Sequence, residues 1–337
     1  MRLATYNVEW FSNLFGDRDQ LLIDDEWSGR HDVTRAAQAE ALGIVFTALD
    51  ADAVMIIEAP DTSRHRNTQR ALEGFAKAFD LRTRAVATGF SNDTQQEIAL
   101  LYDPAVLTVR HDPQGEDAAR KGAKDAPRFD GTLRIDLDID ASEDLVQFSK
   151  PPLELEVITA KDTYLRLIGA HLKSKAPHGA RNRVAVMRLS IANRRKQLAQ
   201  AIWLRRRIEA HLADATPLIL LGDLNDGPGL DEYEHLFGRS SVEIVMGDEL
   251  FDPHARQALL HRLGPVPSTA RFQLSGKDRY LQALLDYIMI SPDLMAKSPE
   301  WRIWHPFDDA RCWAVPELSQ ALLIASDHFP VTLDISL

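Results

Sequence analysis

The chain has 337 residues, 45% of them hydrophobic, enough to bury a large core as one big domain or two moderate ones. It holds no apolar run of about 18 residues, which excludes a transmembrane helix. Its formal charge of −11 argues against a broad nucleic-acid-wrapping surface, because such affinity comes from Lys and Arg neutralising phosphates. A nuclease is not excluded, since carboxylates that load a divalent cation are themselves a source of negative charge. A single cysteine, Cys312, rules out an internal disulfide framework and fits a reducing compartment. No charged n-region, apolar h-region and cleavage site precede the first strand, so the expected location is the cytoplasm.

In chain order, Leu3–Val8 reads as a first strand, followed by a polar, aromatic and acidic loop over 13–31 with lid character. Apolar residues Ala37, Ala41, Ile44, Val45 and Ala48 recur at helical spacing between Thr34 and Leu49. Ala53–Ile57 is an all-apolar strand, as expected for one covered on both faces. A helix is expected over Asn67–Phe79, then strands at Thr83–Ala87 and Ile98–Tyr102. Residues 111–130 are charged and rich in Gly, Pro, Asp and Lys, and read as an exposed excursion before the alternating strand Thr132–Ile139. Leu153–Ile158 and Tyr164–Ala170 form a strand pair. The longest helical pattern runs from Val184 to Leu212; its basic residues Arg194, Arg195, Lys196, Arg205, Arg206 and Arg207 read as a solvated face, with contact to a substrate phosphate the alternative. Leu218–Leu221, Ala283–Ile290 and Val331–Ile335 are the remaining strands. Strands outnumber helices without regular alternation, which predicts one domain over 1–337 with two packed sheets and helices outside.

Several strand-like runs end on a polar side chain. They are ATYNVEWF around Asn7, AVMIIEAP around Glu58, LRLIGAHLKSK around His171, PLILLGDLND around Asp223 and Asn225, and ALLDYIMIS around Asp286. The last is Ser326-Asp327-His328-Phe329-Pro330, a carboxylate directly beside an imidazole. Taken singly each has a bland reading: Asn7 as a turn residue, His171 as a structural histidine, Gly222–Asn225 as a tight turn. Glu58 is harder to dismiss, because an unpaired carboxylate at a buried strand end is costly. Together they match what phosphoester hydrolysis needs. Oxygen ligands from Asn7, Glu58 and Asp327 suit a hard cation such as magnesium. The pairs Asp223/Asn225 and Asp327/His328 can orient and deprotonate water and stabilise charge on the phosphate oxygens.

With these residues in place, the chain resembles the endonuclease/exonuclease/phosphatase superfamily. These magnesium-dependent hydrolases include pancreatic-type deoxyribonuclease, abasic-site endonucleases, sphingomyelinases and inositol-polyphosphate phosphatases. The likeness runs from YNVEWF at Tyr6 to SDHFPV ending at Val331, and its most specific parts are GDLND, LDYIMIS and SDHFP in that order. It implies a four-layer α/β sandwich, two central and mostly antiparallel β-sheets flanked by helices. It also implies roles: Asn7, Glu58 and Asp327 as ligands of Mg2+ or Mn2+, and Asp223 as the group that orients or deprotonates water, or holds a second metal. Asn225 would contact the phosphate. His328 would act on the scissile phosphate with its tautomer fixed by Asp286, and His171 would be the second histidine, with Glu97 its candidate partner. Lys150-Pro151-Pro152-Leu153 resembles a basic-Pro-Pro-Leu stretch common in the family; Lys173 and Lys175 are placed to meet a phosphate or to lie on the surface.

Subgroup signals are mostly negative. Leu220-Leu221 before Gly222 and Tyr287 after Asp286 disfavour the inositol-phosphatase subgroup, and Gln282-Ala283-Leu284-Leu285 departs from the abasic-site pattern. Asp226-Gly227-Pro228, with Tyr233 and Leu236, is widespread and separates nothing. The leading expectation is a metal-dependent phosphodiesterase, a nuclease on DNA or RNA. The alternatives are a phosphomonoesterase or lipid-headgroup phosphodiesterase, or a binding domain without catalysis. Trp10, Phe11, Phe15 and Trp27 would stack on bases, meet an acyl chain, or simply pack.

Overall fold

The computed structural model describes all residues except 138–142, 178, 181, 228–237, 261–265 and 275–278. Ile139, Pro228, Tyr233 and Leu236 therefore lie outside the described residues. Two large sheets form the centre. The strands are β1 (Arg2–Asn7), β2 (Ala53–Pro60), β3 (Ala85–Thr88), β4 (Gln96–Tyr102), β5 (Leu107–His111), β6 (Leu133–Ile135), β7 (Asp144–Val146) and β8 (Leu153–Thr159). They continue with β9 (Tyr164–His171), β10 (Leu218–Asp223), β11 (Ala270–Gln273), β12 (Tyr280–Ala283), β13 (Asp286–Ile290), β14 (Glu300–Ile303) and β15 (Val331–Asp334). One sheet has six strands in the order β14-β15-β1-β2-β4-β3; the other has five, β13-β10-β9-β8-β5. Only β1/β2 and β9/β10 pair in parallel within them. Two small hairpins, β6–β7 and β11–β12, stand apart.

Strand alternation sorts the apolar side chains into three layers. Met55, Ile57, Ile98 and Leu100 of the first sheet face Leu155, Leu165, Ile219, Leu221 and Ile288 of the second. Val54, Ile56, Ala99 and Leu101 point outward to α1 (Arg35–Leu49), α2 (Thr68–Ala78) and the helix Pro316–Ala325. On the far side, Ile168, Leu218 and Leu220 meet Trp203, Leu204 and Ile208 of α3 (Arg183–Ala213). The helices begin where the sequence offers an acceptor: Thr34, Asn67 and Asn182 each take a backbone N–H of the first turn.

Three local expectations are revised. The basic residues of α3 are not all solvated, because Arg194 and Arg207 turn inward and are nearly fully buried against Asp226 and Glu154. The 111–130 stretch is mostly half-exposed to exposed as far as Asp125, but Pro127 and Phe129 are buried on α3. There the Trp203 indole donates to the Pro127 carbonyl at 2.8 Å. Ala283–Ile290 is two strands rather than one, broken at Leu284-Leu285, whose backbone leaves the hairpin β11–β12 for β13.

Candidate active site

The site forms where strands of the two sheets run out at one rim. Asn7, His171 and Asp223 are the last residues of β1, β9 and β10, and Asp286 is the first of β13. Register does the alignment: Asp223 pairs with His171 on one side and with Asp286 on the other. Gly222 makes this level possible. It has φ +139°, and a Cβ there would lie 2.0 Å from the Ala170 carbonyl oxygen.

Glu58 reaches the site by a different device. Simple alternation from Met55 and Ile57 would send it outward with Val54 and Ile56. Instead β2 carries an extra residue, since Ile57 pairs with Ile98 and Ala59 with Glu97, and Glu58 sits between them at φ +65°. Such a bulge re-aims the side chain while the flanking residues keep their faces. The Glu58 carboxylate then accepts from the Gln96 amide and comes within 3.9 Å of His171 Nε2.

Around Asp223 the polar groups interlock. Its carboxylate accepts from Asn7 Nδ2 at 3.0 Å, from the Asn225 backbone N–H at 2.7 Å and from Asn225 Nδ2 at 3.2 Å. His171 Nε2 lies 3.7 Å away. Burial, then the nearby Asp286 carboxylate, push Asp223 up to about 7. Asn225, at φ +50°, also donates Nδ2 to the Leu172 carbonyl at 3.1 Å. Both amide hydrogens are thereby engaged, so Asn225 clamps Asp223 in this geometry, and a phosphate contact needs one of them released.

His328 is held from both ends. Its Nδ1 meets Asp286 Oδ2 at 2.7 Å, and its Nε2 is 4.0 Å from Asp327 Oδ1. Burial lowers its pKa, but Asp286, Asp223 and Asp327 outweigh that and hold it well above the ordinary histidine value. Ser326 supplies the splice: its Oγ donates to the Asn7 carbonyl at 2.8 Å and accepts from the backbone N–H of Glu9 and His328. The Thr269 hydroxyl oxygen, likewise, accepts from the N–H groups of Leu285 and Asp286, both at 3.0 Å.

The second histidine behaves oppositely. Burial, with Lys150, His328 and Lys173 nearby, drives His171 well below its usual value, so it is neutral. Lys150 Nζ lies 3.2 Å from His171 Nδ1. An ammonium only donates, so Nδ1 accepts and the proton sits on Nε2, facing Glu58 and Asp223.

The expected partner of His171, Glu97, is corrected here. On β4 it lies on the outward face with Ala99 and Leu101, and its carboxylate accepts from Asn92 Nδ2 at 2.7 Å. Its neighbour Gln96 shares the inward face with Ile98 and is the one that reaches the site. Gln96 and Lys150 are thus the two groups that sequence reading missed in these roles. A period-two count along β4 would have found Gln96; nothing local marks Lys150 as the partner of His171.

Two groupings fit a cation. Ligand atoms of Asp223, Asp286 and His328 all lie within 4.8 Å of one another. There, however, Asp286 and His328 are already bonded to each other. The other grouping is Asn7 with Glu58, and Asp327 beyond. Asn7 Oδ1 is buried without a hydrogen-bond partner, and Glu58 is raised chiefly by burial, a penalty that a cation would reverse. An orphaned carbonyl oxygen beside a desolvated carboxylate suits a hard, oxygen-seeking ion, so the Asn7–Glu58 side is the better fit.

Behind the rim, Asp226 is buried and binds Arg194 Nη1 and Lys175 Nζ, both at 2.6 Å; these cations outweigh burial and keep it below the carboxylate range. Its backbone neighbour Asn225 is braced by Gln197 Nε2 at 2.9 Å. Replacing Arg194 with Met removes one of the two cations that Asp226 binds and leaves its Oδ2 without that charged donor. The expected loss is about 3 kcal/mol, the low end for a broken buried pair because Lys175 remains. Urea denaturation of Arg194→Met beside wild type checks it.

The chain belongs to the Endonuclease/Exonuclease/phosphatase family, whose model matches residues 4–328. Members of this family are hydrolases acting on phosphoester bonds. Among solved structures, truncated TDP2 from Caenorhabditis elegans superposes with a TM-score of 0.51 at 13% identity, covering 100% of this chain and 97% of that one. TDP2 from D. rerio, complexed with single-strand DNA product, gives 0.52 at 11% identity, covering 100% and 99%. An AP endonuclease from Archaeoglobus fulgidus gives 0.51 at 10% identity, with both chains fully covered. At these identities the likeness is one of fold. A search of curated proteins finds no match. Among the described residues, no helix is long and apolar enough to cross a membrane.

Proposed function

We propose that the protein is a divalent-metal-dependent phosphodiesterase, a nuclease that hydrolyses DNA or RNA. The observation that carries this reading is the buried His328–Asp286 pair at the level of Asp223, beside the unpartnered Asn7 oxygen and Glu58. Asn7 and Glu58, with Asp327, would hold magnesium or manganese, which when bound supplies Lewis-acid stabilisation of charge on the phosphate oxygens.

The residues divide the remaining work. Asp223, with a carboxyl near neutrality, accepts the proton of the attacking water. Protonated His328, oriented by Asp286 through Nδ1, presents Nε2–H to a phosphate oxygen. Neutral His171 presents its own Nε2–H from the other sheet, and Lys150 fixes that tautomer. Donors preset in a water-poor site stabilise the spreading charge without reorganising. The family membership supports phosphoester chemistry, and the DNA product in the D. rerio protein supports a nucleic-acid substrate.

The test uses purified wild type with single- and double-stranded DNA and RNA, magnesium or manganese, and a chelator control. Cleavage is expected with metal and none with chelator, with binding that weakens steeply as salt rises. No cleavage of any phosphodiester in that panel would defeat the reading.

A further inference from the structure

On the side of His171 away from Asp223, three lysines converge. Lys150 Nζ touches His171 Nδ1 at 3.2 Å. Lys196 of α3 reaches the hydroxyl of Ser149, the residue before Lys150, at 3.3 Å. Lys173, two residues past His171, is tied by its backbone N–H to Gln200 Oε1 at 2.8 Å, one helical turn beyond Lys196. All three side chains are half-buried. Their charges are felt mutually: Lys173 repels both Lys150 and Lys196 and adds to the burial that already lowers them.

Neutralisation is uneven. Lys150 faces the carboxylates of Glu58 and Asp223. Lys175, two residues beyond Lys173 in the segment after β9, is spent on Asp226. Lys173 and Lys196 meet no carboxylate among the described residues, in a chain whose formal charge is −11. Two half-buried ammonium groups beside the proposed reaction centre, with no carboxylate partner among the described residues, are available to an anion that arrives with the substrate. Nothing in the proposed hydrolysis uses them.

The geometry points to a second anion subsite formed by Lys150, Lys173 and Lys196, which takes a terminal phosphomonoester of the nucleic-acid strand while the neighbouring phosphodiester lies between His171 and His328. A monoester carries about −1.5 to −2 charges near neutrality, which matches two free cations better than the single charge of an internal phosphodiester. Lys150 sits one imidazole width from the side of His171 that faces the site, and Lys173 is near enough to act on both His171 and Lys150, so both phosphates belong to one short stretch of strand. This inference rests on the nuclease reading and makes the enzyme one that works near phosphorylated strand ends.

The test measures equilibrium binding, in chelator so that no turnover occurs, of one short oligonucleotide with a 5′-phosphate, a 3′-phosphate or hydroxyls at both ends. Wild type is expected to bind one phosphorylated form at least about 10-fold tighter than the hydroxyl form, and the preferred end gives the strand polarity. Lys173→Gln with Lys196→Gln should bring that ratio close to one, and Lys173→Arg with Lys196→Arg should restore much of it. Equal binding of all three forms by wild type overturns the subsite. A ratio that survives the Gln double variant, itself folded by circular dichroism, overturns the assignment to these lysines. A nucleoside bisphosphate that competes as tightly as the strand would replace the strand end by a small phosphorylated molecule and overturn the strand-end assignment. Metal-dependent cleavage with no end preference leaves the nuclease reading standing while this inference falls; end-selective binding without cleavage of any substrate does the reverse.

Discussion

Asp223→Asn is expected to lower kcat/KM by roughly 10²–10⁴-fold, the scale of lost acid–base help. The substitution removes the proposed acceptor of the water's proton but leaves shape and burial nearly unchanged. His328→Ala should fall in the same range, because it removes the Nε2–H donor and leaves Asp286 unpaired. The two together should cost little more than either alone if both act in one transition state. Turnover, measured with folded protein at saturating metal, decides the matter. Near-wild-type rates in both variants would move the chemistry elsewhere in the molecule.

Gly222→Ala is expected to have the largest effect on folding. The position combines φ +139°, which side chains rarely adopt, with a Cβ position 2.0 Å from a main-chain oxygen of β9. Neither can relax cheaply, because Gly222 is paired on both sides, to Ala170 and to Tyr287. A loss of several kcal/mol, or failure to accumulate folded protein, is expected from strain plus a broken ladder. Thermal melting and soluble yield measure it. A stable, active Gly222→Ala would mean that β9 and β10 meet differently from the pairing described here.

Much of the architecture could be read from the chain because its strands are unusually plain. Ala53–Ile57 and Leu218–Leu221 are apolar on both faces, so their polar ends stand out, and Asn7, Glu58, His171 and Asp223 were legible as strand-end groups. Other features depend on partners far away in sequence. The edge strands β5 and β14 have no strong pattern, since each is held by one neighbour only. Arg194 and Arg207 look like any solvated helix arginine until Asp226 and Glu154 are brought beneath them. Glu97, the expected partner of His171, lies one residue of alternation from the site-facing Gln96, and the group that meets His171 Nδ1 is instead Lys150, far away in sequence. In β-structure a one-residue difference is a change of face.

The bulge in β2 separates two demands that most strands must meet with the same residues. Without Glu58, Ile57 and Ala59 would continue an unbroken ladder opposite Ile98 and Glu97. The acid is therefore an interpolated position: the hydrophobic layers owe it nothing, and it owes them only its orientation. If Glu58 holds an ion as proposed, selection for a different ion, or for none, can act on this one side chain without renegotiating the packing between the sheets.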